Sequence, residues 1–225
     1  MRLIIFDVDG TLTRSTSVDA RCYTQAVVEN LGVEVDTNWS AYRDATDAGI
    51  VGELLERHAF AETRDAVVAV RDRFLRLLSA AFDADPTCCR EVPGAAALLR
   101  YLRGLPNVQP AIATGAWADS ARLKLRQTDI DIQGIPFASS DDSSSRADIL
   151  RIASERAAAK AAGVFDAVIY VGDAPWDASA ARGLGFRFIG VACDGEENGL
   201  RSAAASVIFR DFTNRDAVIE QFLAG

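Results

Sequence analysis

Leu3-Ile4-Ile5-Phe6-Asp7-Val8-Asp9-Gly10-Thr11-Leu12-Thr13 opens the chain and decides the fold. The apolar run Leu3 to Phe6 reads as a strand of parallel type, buried with no polar face. It ends abruptly in two carboxylates one residue apart, followed by a glycine turn. In open α/β sheets, ligands bind just beyond the carboxyl ends of the strands, so Asp7 and Asp9 stand where chemistry is done. Alternation sends both to one side, with Gly10 bending the chain after them. Like charges so placed repel unless a cation or a shared proton intervenes. Without such a partner, the same stretch is a strand ending in a solvated acidic turn.

The bulk composition suits a globular protein. Of 225 residues, 49% are hydrophobic and 25% charged, enough for one large domain or two modest ones. Met1 to Phe6 is too short for the apolar region of a signal peptide, and no apolar run approaches the ~20 residues of a membrane helix. Cys22, Cys88, Cys89 and Cys193 lack metal-ligand spacing and read as free thiols of a cytoplasmic protein. A net charge of -8 argues against a nucleic-acid surface, which needs a basic patch. It leaves room for a small phosphorylated substrate, because a local cation reverses the field within a site.

Beyond the first strand, Ser15–Ser17 and Asp19 supply helix-start chemistry, and a helix is expected from Val18 to Leu31 with Gly32 as its stop. Helical periodicity continues over Trp39–Ala45, Ile50–Phe60 and Asp65–Phe82, with no convincing strand between them. The last of these carries Val67, Val70, Phe74, Leu77, Leu78 and Phe82 on one face. Residues 15–88 therefore read as an all-helical insert.

Strands and helices then alternate. Strands are expected at Gln109–Ala113, Ile135–Ala138, Ala167–Val171, Phe186–Val191 and Ser206–Phe209. Helices are expected from about Pro93 to Arg103, Trp117 to Gln127, Arg146 to Ala162, Trp176 to Arg182 and Arg215 to Leu223. That alternation implies βαβ crossovers and a parallel sheet covered on both faces.

Three further places carry chemistry at strand ends. Ile112-Ala113-Thr114-Gly115 puts a hydroxyl and free N–H groups at a helix start, suited to phosphoryl oxygens, although Thr-Gly is also a common helix cap. In Val171-Gly172-Asp173-Ala174-Pro175-Trp176-Asp177, Asp173 follows a buried strand as Asp7 does, and Asp177 lies one helical turn on. Oxygen ligands from two strand ends, completed by waters and a substrate phosphate, suit Mg²⁺. Arg146 opens a helix after the serine-rich loop 139–145. There it either screens an attacking carboxylate from its phosphate or is one more exposed arginine.

Taken together, these stretches resemble the four motifs of the haloacid dehalogenase-like (HAD) superfamily, in order and across the chain, and most nearly its C1-capped, phosphoglycolate phosphatase-like branch. Asp7 and Asp9 match the first motif, Thr114 the second, and Asp173 with Asp177 the fourth. The third is usually lysine; Lys124 and Lys160 are the only lysines and fit poorly, whereas Arg146 occupies the position. The resemblance implies an α/β fold with a Rossmannoid parallel sheet ordered 5-4-1-2-3. It divides the chain into a core of residues 1–14 and 89–225 and a helical C1 cap of residues 15–88.

The function so implied is Mg²⁺-dependent hydrolysis of a small phosphorylated metabolite through an aspartyl-phosphate on Asp7, with Asp9 as acid and base. Mg²⁺ would be held by Asp7, the Asp9 carbonyl, Asp173 and Asp177. Thr114, Arg146, Gly115 and the N–H groups of Val8 and Asp9 would hold the phosphoryl oxygens. A carboxylate at Asp9 disfavours dehalogenation, and the lack of lysine between Leu12 and Pro93 disfavours phosphonatase chemistry. A sugar phosphomutase and a non-catalytic phosphate-binding protein on the same fold are the alternatives. The expected protein is a monomer or homodimer with no nucleic-acid or membrane partner.

Overall fold

The first strand, β1 (Arg2–Phe6), leads through a short β2 (Thr13–Arg14) into three helices, α1 (Thr16–Leu31), α2 (Asp47–Arg57) and α3 (Thr63–Ala84). After β3 (Arg90–Glu91) come α4 (Ala95–Arg103), β4 (Val108–Ala113), α5 (Ala118–Gln127), β5 (Phe137–Ala138) and α6 (Arg146–Ala161). The chain closes with β6 (Ala167–Gly172), α7 (Pro175–Gly183), β7 (Arg187–Val191), α8 (Glu197–Ser202), β8 (Ile208–Phe209) and α9 (Arg215–Leu223). This computed structural model describes residues 1–61, 63–193, 197–203 and 205–224.

The main sheet runs β5-β4-β1-β6-β7-β8, all parallel. In order of appearance its strands lie 3-2-1-4-5-6, so the expected 5-4-1-2-3 order holds and gains a sixth strand at the β7 edge. β1 is central because its residues are apolar on both faces. Ile4 and Phe6 pack against α4 and α9, and Leu3 and Ile5 against α6, all without exposure. Register does the rest: Phe6 pairs with Ile112 of β4 and with Val171 of β6. Three strands therefore end at one level, which sets Asp7, Thr114 and Asp173 side by side.

Between β2 and β3 the described residues are helical, with two 3₁₀ turns and loops, as expected for 15–88. The antiparallel pair β2–β3 joins the entry and exit of this segment. Its three helices make their own apolar cluster, to which Val70, Phe74, Leu78 and Phe82 of α3 contribute one face. Gly32 ends α1 in the left-handed conformation, as its position predicts. His58, the only histidine, is exposed at the end of α2.

The differences from expectation are local. Trp39–Ala45 is not a helix: a single 3₁₀ turn, Trp39–Ala41, stops where Tyr42 becomes extended. The Thr46 side chain caps α2 by accepting the Gly49 N–H, so α2 starts three residues before Ile50 and residues 42–45 remain a loop. The Ser15 side chain makes no cap bond on α1; it turns toward Asp9 instead. Ile135 belongs to a turn, and only Phe137 and Ala138 pair with β4.

Phe74 has no exposed surface and lies between Tyr23 (ring centroids 5.7 Å apart) and Trp117 (6.0 Å). Phe74→Ala should cost about 3–5 kcal/mol of stability, read as a fall in the urea midpoint with little change in slope.

Candidate active site

The carboxyl ends of β1, β4 and β6 face a cavity of about 120 Å³ beneath the helical segment. Asp7, Asp9, Thr114, Gly115, Arg146 and Asp173 line it from the sheet side. Tyr23, Trp39, Asp47 and Ile50 line it from the helices, with Trp176 beside them. Two expected site residues do not line it. The Val8 side chain is packed in the core, leaving only its main chain for the site. Asp177 is fully buried beneath the cavity floor.

Asp7, Asp173 and Asp177 form a tight group, each with a carboxylate oxygen within 4.8 Å of the others. Burial first, and then the charge of Asp177, push both Asp7 and Asp173 well above the usual carboxylate range. Such crowding of oxygens fits a hard divalent cation, which would relieve the repulsion. The Asp177 carboxylate already accepts bonds from Arg146 Nη1 (2.8 Å), Tyr170 Oη (2.9 Å) and the Ala174 N–H (3.1 Å). Its oxygens are thus engaged by protein, and Asp7 and Asp173 are the more open of the three. Gly10 makes this packing possible: it has φ +74°, and a Cβ there would overlap Asp173 Oδ2.

Arg146 is buried rather than exposed, with 8% of its surface accessible. It starts α6, and its guanidinium reaches under the sheet edge to Asp177 and to Asp7 Oδ1 at 3.7 Å. Nη2 donates to the Ala45 carbonyl at 2.6 Å, so the loop before α2 helps to aim it. Burial opposes the charge, but Asp177, Tyr170 and Asp7 outweigh it and hold the group protonated. Its Nε is buried with no partner among the described residues, a donor that a bound oxyanion would satisfy. Gly115 is needed here too, since a Cβ would run into Arg146 Nη2. Thr114 is buried beside it, its Oγ1 accepting the Ala116 N–H at 3.2 Å.

Lysines do not supply a cation next to Asp7. Lys160 reaches the Gly134 carbonyl at the surface. Lys124, with no exposed surface, binds Asp9 Oδ2 at 2.5 Å and Asp19 Oδ1 at 2.6 Å. Burial works to discharge it, yet Asp19, Asp9 and Asp47 keep it protonated. Asp19 is itself pushed up to about 6 by burial, against the pull of Lys124. Asp47 also lies well above its usual range, through burial and then the Asp19 charge, and its carboxylate accepts the Trp117 N–H at 2.9 Å. Lys124, Asp19 and Asp47 belong to no motif; the one local signal is a lone acid in the first turn of α1 and of α2, which reads as helix capping.

The chain is similar to known proteins along most of its length. The model of the haloacid dehalogenase-like hydrolase family matches residues 1–185. A hydrolase from Pseudomonas syringae superposes with a TM-score of 0.76 at 23% identity, covering 100% of both chains. CbbY from Rhodobacter sphaeroides, solved in complex with phosphate, gives 0.69 at 20% identity, over 93% of this chain and 94% of the other. A HAD family hydrolase from Deinococcus radiodurans, solved with bound phosphate and sodium, gives 0.60 at 21% identity, over 98% and 95%. At these identities the likeness is one of fold. No curated protein sequence matches the chain. Among the described residues no helix is long and apolar enough to cross a membrane.

Arg146→Ala should leave the fully buried Asp177 without its cation. Breaking a buried pair from one side costs about 3–5 kcal/mol, measured as a lower denaturation midpoint. Arg146→Lys should also be destabilising, because an ammonium cannot span Asp177, Tyr170 and the Ala45 carbonyl as a planar fork does.

Proposed function

Because the chain belongs to the haloacid dehalogenase-like hydrolases, an enzyme family, we propose that it is a phosphatase, which releases phosphate from a small phosphorylated metabolite through an aspartyl-phosphate on Asp7. The observation that carries this reading is the pairing at one cavity of a crowded set, Asp7 with Asp173 and Asp177, and an inward-aimed Arg146. Negative oxygens would hold a cation there, and the cation with the guanidinium would receive a phosphoryl group.

In this reading Asp7 attacks phosphorus in line while the leaving oxygen departs. Asp9 protonates that oxygen and then takes a proton from the water that hydrolyses the intermediate. Arg146, Thr114 and the N–H groups of Val8, Asp9 and Gly115 hold the phosphoryl oxygens. Arg146 also lowers the cost of bringing Asp7 to a phosphate dianion. Mg²⁺ would be held by Asp7, the Asp9 carbonyl and Asp173, with Asp177 beneath, and when bound it supplies charge neutralisation for the transferring group.

We assign residues 15–88 as the cap over a core of residues 1–14 and 89–225, with Tyr23, Trp39, Asp47 and Ile50 meeting the organic part of the substrate. A mutase has to hold a second phosphate. Among the described residues lining the cavity Arg146 is the only basic one, which favours hydrolysis over phosphoryl exchange. The protein is assigned to the cytoplasm as a monomer or homodimer.

Purified protein should release phosphate from p-nitrophenyl phosphate with Mg²⁺ and lose that activity on chelation; a panel of phosphorylated metabolites then ranks substrates. Asp7→Asn should abolish turnover while preserving the fold by circular dichroism. Activity close to wild type in that variant rejects the covalent step. Asp9→Asn should reduce kcat by about 10²–10⁴-fold, the usual contribution of a general acid and base, and should accumulate acid-stable or trappable phosphoenzyme to a higher level than wild type.

A further inference from the structure

Lys124 does not line the cavity, yet its side chain is fully buried and its ammonium touches Asp9, a proposed catalytic group. We propose that Lys124 is a positioning residue that fixes the Asp9 carboxylate for proton transfer and ties it to helix α1 through Asp19. The chemical sense of this inference rests on the phosphatase reading above.

The geometry is that of a clamp. Asp9 follows β1 by three residues, in a turn where Gly10 adopts positive φ, so strand pairing does not hold its side chain. Instead both oxygens are held: Oδ1 accepts from Ser15 Oγ at 2.5 Å, and Oδ2 from Lys124 Nζ at 2.5 Å. Ser15 is in turn bonded to Thr13 Oγ1 at 2.7 Å, which fixes that side of the clamp. The Lys124 side chain has no exposed surface and springs from the last turn of α5, whose N-terminal end is pinned where the Trp117 N–H meets Asp47. The ammonium therefore starts from a rigid base and cannot follow solvent.

Its second partner makes the arrangement more than a local pair. Asp19 lies in the first turn of α1, the helix that leads into the helical segment, and accepts from the same ammonium at 2.6 Å. One cation thus joins the turn after β1, helix α5 beside β4 and helix α1 of the segment above. Where the Asp9 carboxylate stands is consequently set by where α1 stands.

Buried ion pairs are poor net stabilisers, often replaceable by apolar side chains without loss. Stability alone does not account for a fully buried lysine at this place. Proton transfer does, because a general acid has to sit within about 2.6–3.2 Å of the leaving oxygen. The aspartate side chain is too short to correct an error, and a misplacement of about 1 Å costs about 100-fold in rate.

The test compares Lys124→Met, the charge-balanced pair Lys124→Met with Asp19→Asn, Asp9→Asn, and Lys124→Met with Asp9→Asn. Each is assayed on p-nitrophenyl phosphate and on phenyl phosphate, which differ in how much the leaving oxygen needs a proton. If Lys124 acts through Asp9, kcat falls by about 100-fold with KM little changed, and the loss is greater on phenyl phosphate. Adding Lys124→Met to Asp9→Asn then costs little more, because the two act as a unit.

The balanced pair guards against misfolding, since it removes one charge of each sign. Turnover restored in it to within about threefold of wild type overturns the proposal, as does additivity with Asp9→Asn or an equal loss on both substrates. Crystal structures of wild type and the balanced pair give a readout independent of turnover. The Asp9 carboxylate should leave its wild-type position, and an unmoved carboxylate also overturns the proposal. Wild-type protein inactive on both esters rejects the phosphatase reading instead, and the structures then still decide whether Lys124 holds Asp9.

Discussion

Too many carboxylates meet at one sheet edge, and that crowding is the constraint on which the structure turns. Asp7, Asp9 and Asp173 come from the ends of two neighbouring strands, Asp177 from the first turn of α7, and Asp19 and Asp47 from the helices above. Two like charges 4 Å apart cost about 4 kcal/mol at the effective dielectric of a protein surface, so the set needs cations. Among the described residues Arg146 and Lys124 are the two buried cations, and they divide the work. Arg146 serves Asp177 and Asp7, while Lys124 serves Asp9 and Asp19. What they leave uncompensated, chiefly at Asp7 and Asp173, is the negative field that a divalent ion would meet.

The choice of arginine for the first of these places follows from its neighbours. One planar head donates to a carboxylate, faces a phenol and binds a main-chain carbonyl of the loop before α2. Three partners in different directions suit a five-donor fork better than a rotating ammonium. This same contact joins α6 of the core to the helical segment, as Lys124 joins α5 to α1. Each cation therefore neutralises acids and also holds the roof of the cavity to its floor. Electrostatics and the closure of the cavity are one problem here, solved with two side chains.

Long, strongly periodic elements were legible from residue order. The stripe Val67, Val70, Phe74, Leu77, Leu78 and Phe82 predicts α3 because its mixed three- and four-residue spacing keeps one face on a helix and would switch faces on a strand. The run Leu3 to Phe6 predicts a buried strand of parallel type because so short an all-apolar stretch, bounded by a turn, suits a strand covered on both faces. Short pieces were not legible in this way. The β2–β3 pair has two residues on each side, brought together across the whole helical segment. Nor does the pattern of Trp39–Ala45 reveal that Tyr42 extends, because the Thr46 cap and the Ala45 contact to Arg146 that shape this loop are made elsewhere.

Residue order alone placed Asp7, Thr114 and Asp173 at the ends of apolar strands, and so pointed to the candidate site. Their alignment at one level required the register of β1 with β4 and β6. Which cation answers which acid was a matter of tertiary structure only. Lys124 and Asp9 are 115 positions apart, and Arg146 and Asp177 are 31 apart. The reason is physical: a strand or helix writes its period into neighbouring residues, but a buried ion pair depends on where two separate elements come to rest. A lysine on α5 carries no local mark of the acids it will meet, since α1 and the turn after β1 supply them only once the chain has folded.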